Sequence, residues 1–149
     1  MAHKHDVLDT DGRFVIDPKT RVITDVSAET PLIIQYDHNS ERLTFELPRF
    51  IDGHDMLLCN LVEVHFKNVE YNKFHTAQGV HESNDLQVSA DDDSKLTCSW
   101  LIPQDATRYN GDLFFSLRFV CVDGANLDYV WSTATYSSLK VSEGIYCGD

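Results

Sequence analysis

Two apolar runs with period-two alternation, joined by a polar link, dominate residues 95–122 (KLTCSWLIPQDATRYNGDLFFSLRFVCV) and leave few folds open. In the first run Leu96, Cys98, Trp100 and Ile102 share one face, and Lys95, Thr97, Ser99 and Leu101 the other. In the second, Leu113, Phe115, Leu117, Phe119 and Cys121 fall together. Successive strand side chains point to opposite faces, so each run predicts a strand with one side on a core. The link, residues 103–112, carries Pro, Asp, Asn and Gly, which turn a chain. The pair is expected to form two long antiparallel core strands, in one sheet or in two. Trp100, Leu113, Phe115, Leu117 and Phe119 are the expected core.

The rest of the chain repeats the theme at shorter range. Residues 13–24 predict a hairpin turning at Asp17-Pro18-Lys19-Thr20, where proline presets φ and aspartate bonds back to the backbone. Residues 32–36 predict a short strand. Residues 42–47 predict another, with Leu43, Phe45 and Leu47 inside, and Pro48 ends it or lies at an edge. Residues 50–55 predict a loop, and residues 61–69 a strand with Val62, Val64 and Phe66 on one face. Residues 70–82 show no clean period and predict a long exposed loop or irregular hairpin. A short strand at 85–89 and an acidic turn at Asp91, Asp92 and Asp93 lead into the central pair. A turn at 123–126 and strands at 129–135 and 138–141 complete the pattern.

No stretch holds a helical period over three turns. Short strands with turn signals between them predict an all-β fold: an antiparallel β-sandwich, immunoglobulin-like or jelly-roll-like. The immunoglobulin Cys–Trp–Cys spacing is missing, so that likeness is one of architecture. A length of 149 residues predicts a single domain, residues 13–149, behind a polar lead-in, residues 1–12.

The net charge of −12 argues against partners with phosphate backbones, so no nucleic acid is expected, and an anionic membrane is disfavoured for the same reason. The N-terminus lacks the apolar segment of a secretory signal, and no apolar run approaches the roughly 20 residues of a membrane-spanning helix. Cys59, Cys98 and Cys121 sit inside apolar patterns and read as small buried hydrophobes; Cys147 is the fourth cysteine. Cys98 and Cys121 could face one another between sheets, reduced in a cytosolic chain. Without a CxxC pair, a thiolate zinc site is not expected.

Candidate chemistry is sparse. Asp9-Thr10-Asp11-Gly12 resembles a calcium loop, but Val7 and Pro18 stand where its other ligands belong. His3 and His5 form an HxH pair able to meet a metal in a trimer, although a frayed terminus is the plainer reading. His38, His54, His65, His75 and His81 are scattered and read as solvated side chains. The acidic turn at 91–93 reads the same way. No nucleophile elbow, phosphate loop or HExxH motif occurs, so neither an enzyme nor a cofactor is expected. Tyr129 and Trp131 share a face and could stack on a sugar; the competing reading puts Trp131 in the core beneath Trp100.

One resemblance spans nearly the whole chain. The segments Cys98-Ser99-Trp100-Leu101-Ile102-Pro103, Leu113-Phe114-Phe115-Ser116-Leu117-Arg118-Phe119, Trp131-Ser132-Thr133 and Glu143-Gly144-Ile145, with the opening run Phe14-Val15-Ile16-Asp17-Pro18-Lys19-Thr20-Arg21-Val22-Ile23, carry it. The sequence resembles N-terminal domains of phage and prophage baseplate upper proteins and tail fibres from Gram-positive hosts. The resemblance implies a β-rich virion module, made in the host cytoplasm, that attaches a fibre or receptor-binding arm to other tail or baseplate proteins in a symmetric homo-oligomer. Family members continue into a stalk, whereas this chain ends at Asp149, which fits an excised domain or a short linking protein. Alternative readings are a module binding a host surface glycan and an acidic host-takeover inhibitor.

Overall fold

The computed structural model describes residues 12–29, 31–123 and 126–145. These residues form an all-β structure whose strands, in chain order, are β1 (Gly12–Ile16), β2 (Ile23–Asp25), β3 (Ile33–Ile34), β4 (Arg42–Pro48), β5 (Phe50–Ile51), β6 (His54–Asp55), β7 (Leu61–Glu70), β8 (Thr76–Ser83), β9 (Gln87–Val88), β10 (Lys95–Leu101), β11 (Gly111–Asp123), β12 (Asn126–Ser132) and β13 (Tyr136–Ser142). Two short 3-10 turns, Met56–Leu58 and Gln104–Ala106, are the helical elements among them. No helix is long and apolar enough to cross a membrane among the described residues.

The central pair does separate into two sheets. β10 lies in a five-stranded sheet ordered β2-β1-β4-β10-β9; β11 lies in a six-stranded sheet ordered β3-β13-β11-β7-β8, with β12 also on β11. β5 and β6 make a small hairpin where a loop was expected. β11 is the spine because its length serves three partners. One edge pairs with β7 from Gly111 to Val120, and the other is shared between β13 and β12. Thr133 fills the gap between those two: its amide donates to the Leu117 carbonyl at 2.9 Å, and its hydroxyl accepts from the Leu117 amide at 2.9 Å.

The sheets are mixed, which corrects the antiparallel expectation. β1 runs parallel to β4, and β13 parallel to β3. The cause is the excursion after β2. The chain leaves the first sheet, adds β3 to an edge of the second, and returns to lay β4 beside β1. Alternation reports which face is buried and not the direction of a neighbour. The 13–24 hairpin forms as β1–β2, but its turn runs wider than four residues. The Asp17 amide donates to the Val22 carbonyl at 3.0 Å, while the Asp17 side chain accepts from the amides of Lys19 and Thr20.

One cluster of buried side chains draws on both sheets. Phe14 and Phe45 from the five-stranded sheet meet Phe115 and Tyr136 from the six-stranded one. Trp100 stacks on Phe66 at 6.0 Å and tilts against Phe115 at 5.7 Å. Trp100, Leu113, Phe115, Leu117 and Phe119 are all buried. Aromatic pairs prefer such tilted and edge contacts, which lock the relative position of two sheets more firmly than aliphatic contact alone. Asn68, fully buried on β7, donates to the carbonyls of Tyr109 and Asp112 and accepts from the Tyr109 amide, so the link before β11 is tied to the strand by a side chain.

Candidate functional site

Residues 70–82 depart most from expectation. Rather than a loop, they form the end of β7, a five-residue tip and the regular strand β8, paired with β7 through eight residues. β8 ends its sheet, and no strand among the described residues pairs with its outer edge. The less exposed positions of β8 are Ala77, Gly79, His81 and Ser83, small or polar rather than large and apolar, which is why the period is faint. Gly79 stands opposite Phe66, and a Cβ there would come within 3.1 Å of the Phe66 ring. The glycine lets the edge strand lie flat over that aromatic.

The tip between these strands is held firmly. The Lys73 amide donates to the Glu70 carbonyl at 2.8 Å, with Lys73 at φ 62°, and the Phe74 amide donates to the Asn72 side chain at 3.0 Å. The Tyr71 amide reaches the Asn110 carbonyl at 3.1 Å. His75 lies 2.8 Å from Glu70 Oε1 and stacks on Tyr109 at 5.4 Å. This framework presents Phe74 at 82% exposure and Tyr71 at 56%. A phenylalanine left in water forgoes about 1.5–3 kcal/mol of burial free energy. An exposed aromatic pair on a hairpin tip whose backbone is hydrogen-bonded in place is the kind of anchor that a protein interface buries.

The outward face of β8, β7 and β11 carries cross-strand rows. Gln78, Lys67 and Phe114 form one, Val80, His65 and Ser116 the next, and Glu82, Glu63 and Arg118 the third. The first two rows, with Thr135, line an open groove of about 680 Å³. In the third, Glu63 Oε1 lies 3.0 Å from His65 Nε2 and accepts from Arg118 Nη1 at 3.2 Å. These two contacts, His65 first, hold the Glu63 carboxyl below its usual range.

A second cluster lies elsewhere. Cys59 and Cys121 bring their Sγ atoms to 3.0 Å, and His54 Nε2 lies 3.4 Å from Cys121 Sγ. The His54 ring stacks on Tyr129 at 3.8 Å and 14°. His54 is therefore not a solvated side chain, and Cys121 meets Cys59 rather than Cys98. Cys98 lies buried in the five-stranded sheet opposite Phe45. Burial pushes the Cys59 thiol well above its usual value. The signal available in the sequence was the close pair His54 and Cys59; Cys121 joins it only through tertiary structure.

The expected ligand face does not form a platform. Trp131 is 3% exposed, packs on Phe119 at 6.0 Å rather than beneath Trp100, and is covered by the Arg21 guanidinium 5.0 Å above its ring. Tyr129 is half-buried and has one ring face occupied by His54. The acidic turn is a closed local motif in which Asp92 accepts from the amide and hydroxyl of Ser94. His3, His5 and Cys147 lie outside the described residues. Other polar groups form separate local sets, among them Arg42 with Ser99 and Asp85, Arg49 with Asp55, His81 with Asp105, Lys95 with Glu46 and Lys140 with Asp112. No family model matches the chain, and the search of curated proteins found no match.

Proposed function

We propose that the chain is a structural attachment module of a phage tail or baseplate, working through protein–protein contacts as part of a symmetric homo-oligomer in the virion. In this reading the two larger sheets close on each other as a single β-sandwich domain, immunoglobulin-like or jelly-roll-like in architecture, and the outer surface does the work. The virion assignment rests on the sequence resemblance; the observation that supports attachment is the hydrogen-bonded tip of the β7–β8 hairpin, with Phe74 and Tyr71 exposed beside a sheet edge that no other described strand pairs. Aromatic anchors supply affinity, the free edge supplies backbone hydrogen bonds, and the charge of −12 repels wrong neighbours in a crowded assembly. Burial of Trp131 leaves the glycan reading without its platform.

The test is co-expression with the products of the flanking genes, followed by mass measurement in solution. The chain should join a complex of defined stoichiometry. The double variant Tyr71→Ser/Phe74→Ser should lose that complex while keeping its thermal midpoint. An unchanged complex in the variant, or hydrolysis of a cell-wall polymer by the purified protein, would refute the reading.

A further inference from the structure

We propose that His54 Nε2, Cys59 Sγ and Cys121 Sγ form a binding site for zinc(II). The three donor atoms come from β6, the end of the following 3-10 turn, and β11, yet lie within 4.8 Å of one another. In tetrahedral zinc sites, with Zn–S near 2.3 Å and Zn–N near 2.0 Å, neighbouring donors stand about 3.5–3.8 Å apart. The His54–Cys121 distance of 3.4 Å already matches, and the two sulfurs at 3.0 Å need to part by less than about 1 Å.

The surroundings are those of a positioned ligand set. The β11–β12 register shifts between Cys121 and Val122, an irregularity that re-aims a side chain. Tyr129, directly opposite Cys121, fixes the plane of the His54 ring by stacking. The turn linking His54 to Cys59 is pinned by Asp55, which accepts from the Leu57 amide at 3.1 Å and pairs with Arg49 at 3.1 Å. The Cys59 amide closes the turn on the Met56 carbonyl at 3.1 Å.

The donor chemistry selects the ion. Two sulfurs and an imidazole favour a thiophilic cation over calcium or magnesium. Each thiol gives its proton to solvent as its sulfur binds, and two thiolates balance the dication. The buried sulfurs then carry no uncompensated charge. Both sulfurs are buried and His54 is half-buried, so a fourth ligand would have to come from solvent on the histidine side. The ion would staple the residue 50–59 segment to the spine strand, a role independent of the attachment reading.

The experiment uses the full chain, reduced and stripped with a chelator, titrated with zinc(II) alone and with cobalt(II) as a spectroscopic substitute. One equivalent should bind, and cobalt should give thiolate charge-transfer absorption with the strong ligand-field bands of four-coordination. Cys59→Ser and Cys121→Ser should each weaken binding by roughly 100-fold or more, since loss of a ligand exceeds the 10–100-fold effect of losing a ligand's own partner. His54→Gln, which leaves the buried sulfurs in place and keeps the test open if a cysteine variant fails to fold, should weaken binding while retaining charge transfer. Cys98→Ser and the pair His3→Ala/His5→Ala should leave both readouts unchanged. No charge-transfer absorption, binding that survives Cys59→Ser and Cys121→Ser, binding lost with His3 and His5, or a Cys59–Cys121 disulfide in protein isolated under thiol-blocking conditions would overturn the proposal.

Discussion

Phe115→Ala tests whether one aromatic cluster joins the two sheets. Phe115 is 1% exposed and contacts rings on both sides of the core: Phe14 at 5.8 Å, Phe45 at 5.6 Å, Trp100 at 5.7 Å and Tyr136 at 5.3 Å. Truncating a buried phenylalanine costs about 3–5 kcal/mol, because the cavity only partly collapses. Aromatic pairs contribute roughly 0.5–1.5 kcal/mol each beyond area, which places this position at the upper end, near 5 kcal/mol. With a urea slope of about 2 kcal/mol/M, the midpoint should fall by about 2.5 M. The thermal midpoint should fall by about 10–20 °C, from 2–4 °C per kcal/mol at this chain length. A loss of that size approaches the whole stability of an ordinary domain. Phe115→Leu, costing about 1.5 kcal/mol, keeps the measurement possible if the alanine variant does not fold. Equilibrium urea unfolding followed by tryptophan fluorescence is suitable, since Trp100 touches the substituted ring. A loss below about 1 kcal/mol for the alanine variant would refute the shared core.

Two further predictions concern the backbone and pH. Gly111→Ala would place a Cβ 2.0 Å from the Val69 carbonyl oxygen, so the pairing of β11 with β7 must shift; a loss of about 3 kcal/mol is expected, and a variant within 0.5 kcal/mol of wild type, by the same ~0.5 kcal/mol that marks neutral surface changes, would contradict the register. The hydrogen bond from Arg49 holds the Asp55 carboxyl below its usual value in the folded state. An unfolded chain therefore binds more protons at this site, and the pair contributes stability above the unfolded pKa of about 4 that is lost as pH falls through the folded value. The urea midpoint of wild type should exceed that of Asp55→Asn at pH 7, and the gap should close on acidification; a gap that widens at low pH would reverse the sign of the argument.

Much of this architecture was legible in the residues. Leu43, Phe45 and Leu47 fall inside as alternation requires, as do Val62, Val64 and Phe66, and Leu113, Phe115, Leu117, Phe119 and Cys121 of β11. Each lies on a strand with one face on the core, where period two is strongest. Strand direction was not legible, because β1 against β4 has the same alternation parallel or antiparallel. β8 was hidden by its place at an edge, where Gln78 and Val80 both face solvent and Gly79 interrupts the pattern. The aromatic tip was hidden with it. The His54, Cys59 and Cys121 cluster escaped because its third member lies 62 residues beyond the second. Only the tertiary contact of β11 with the segment from His54 to Cys59 brings it near. Trp131 was ambiguous by parity alone, and the guanidinium of Arg21 over its ring decided the matter.

The central functional claim is that the hairpin tip is a buried anchor in an assembled particle. The most direct measurement replaces Phe74 with a photo-crosslinking phenylalanine analogue in cells producing the complete tail, then identifies the adducts by mass spectrometry. The account predicts one dominant crosslink from position 74 to a defined site on a tail or baseplate protein, absent when the same analogue replaces the buried Phe45. A position 74 that forms no adduct in assembled particles, or that labels many proteins indiscriminately, would contradict it.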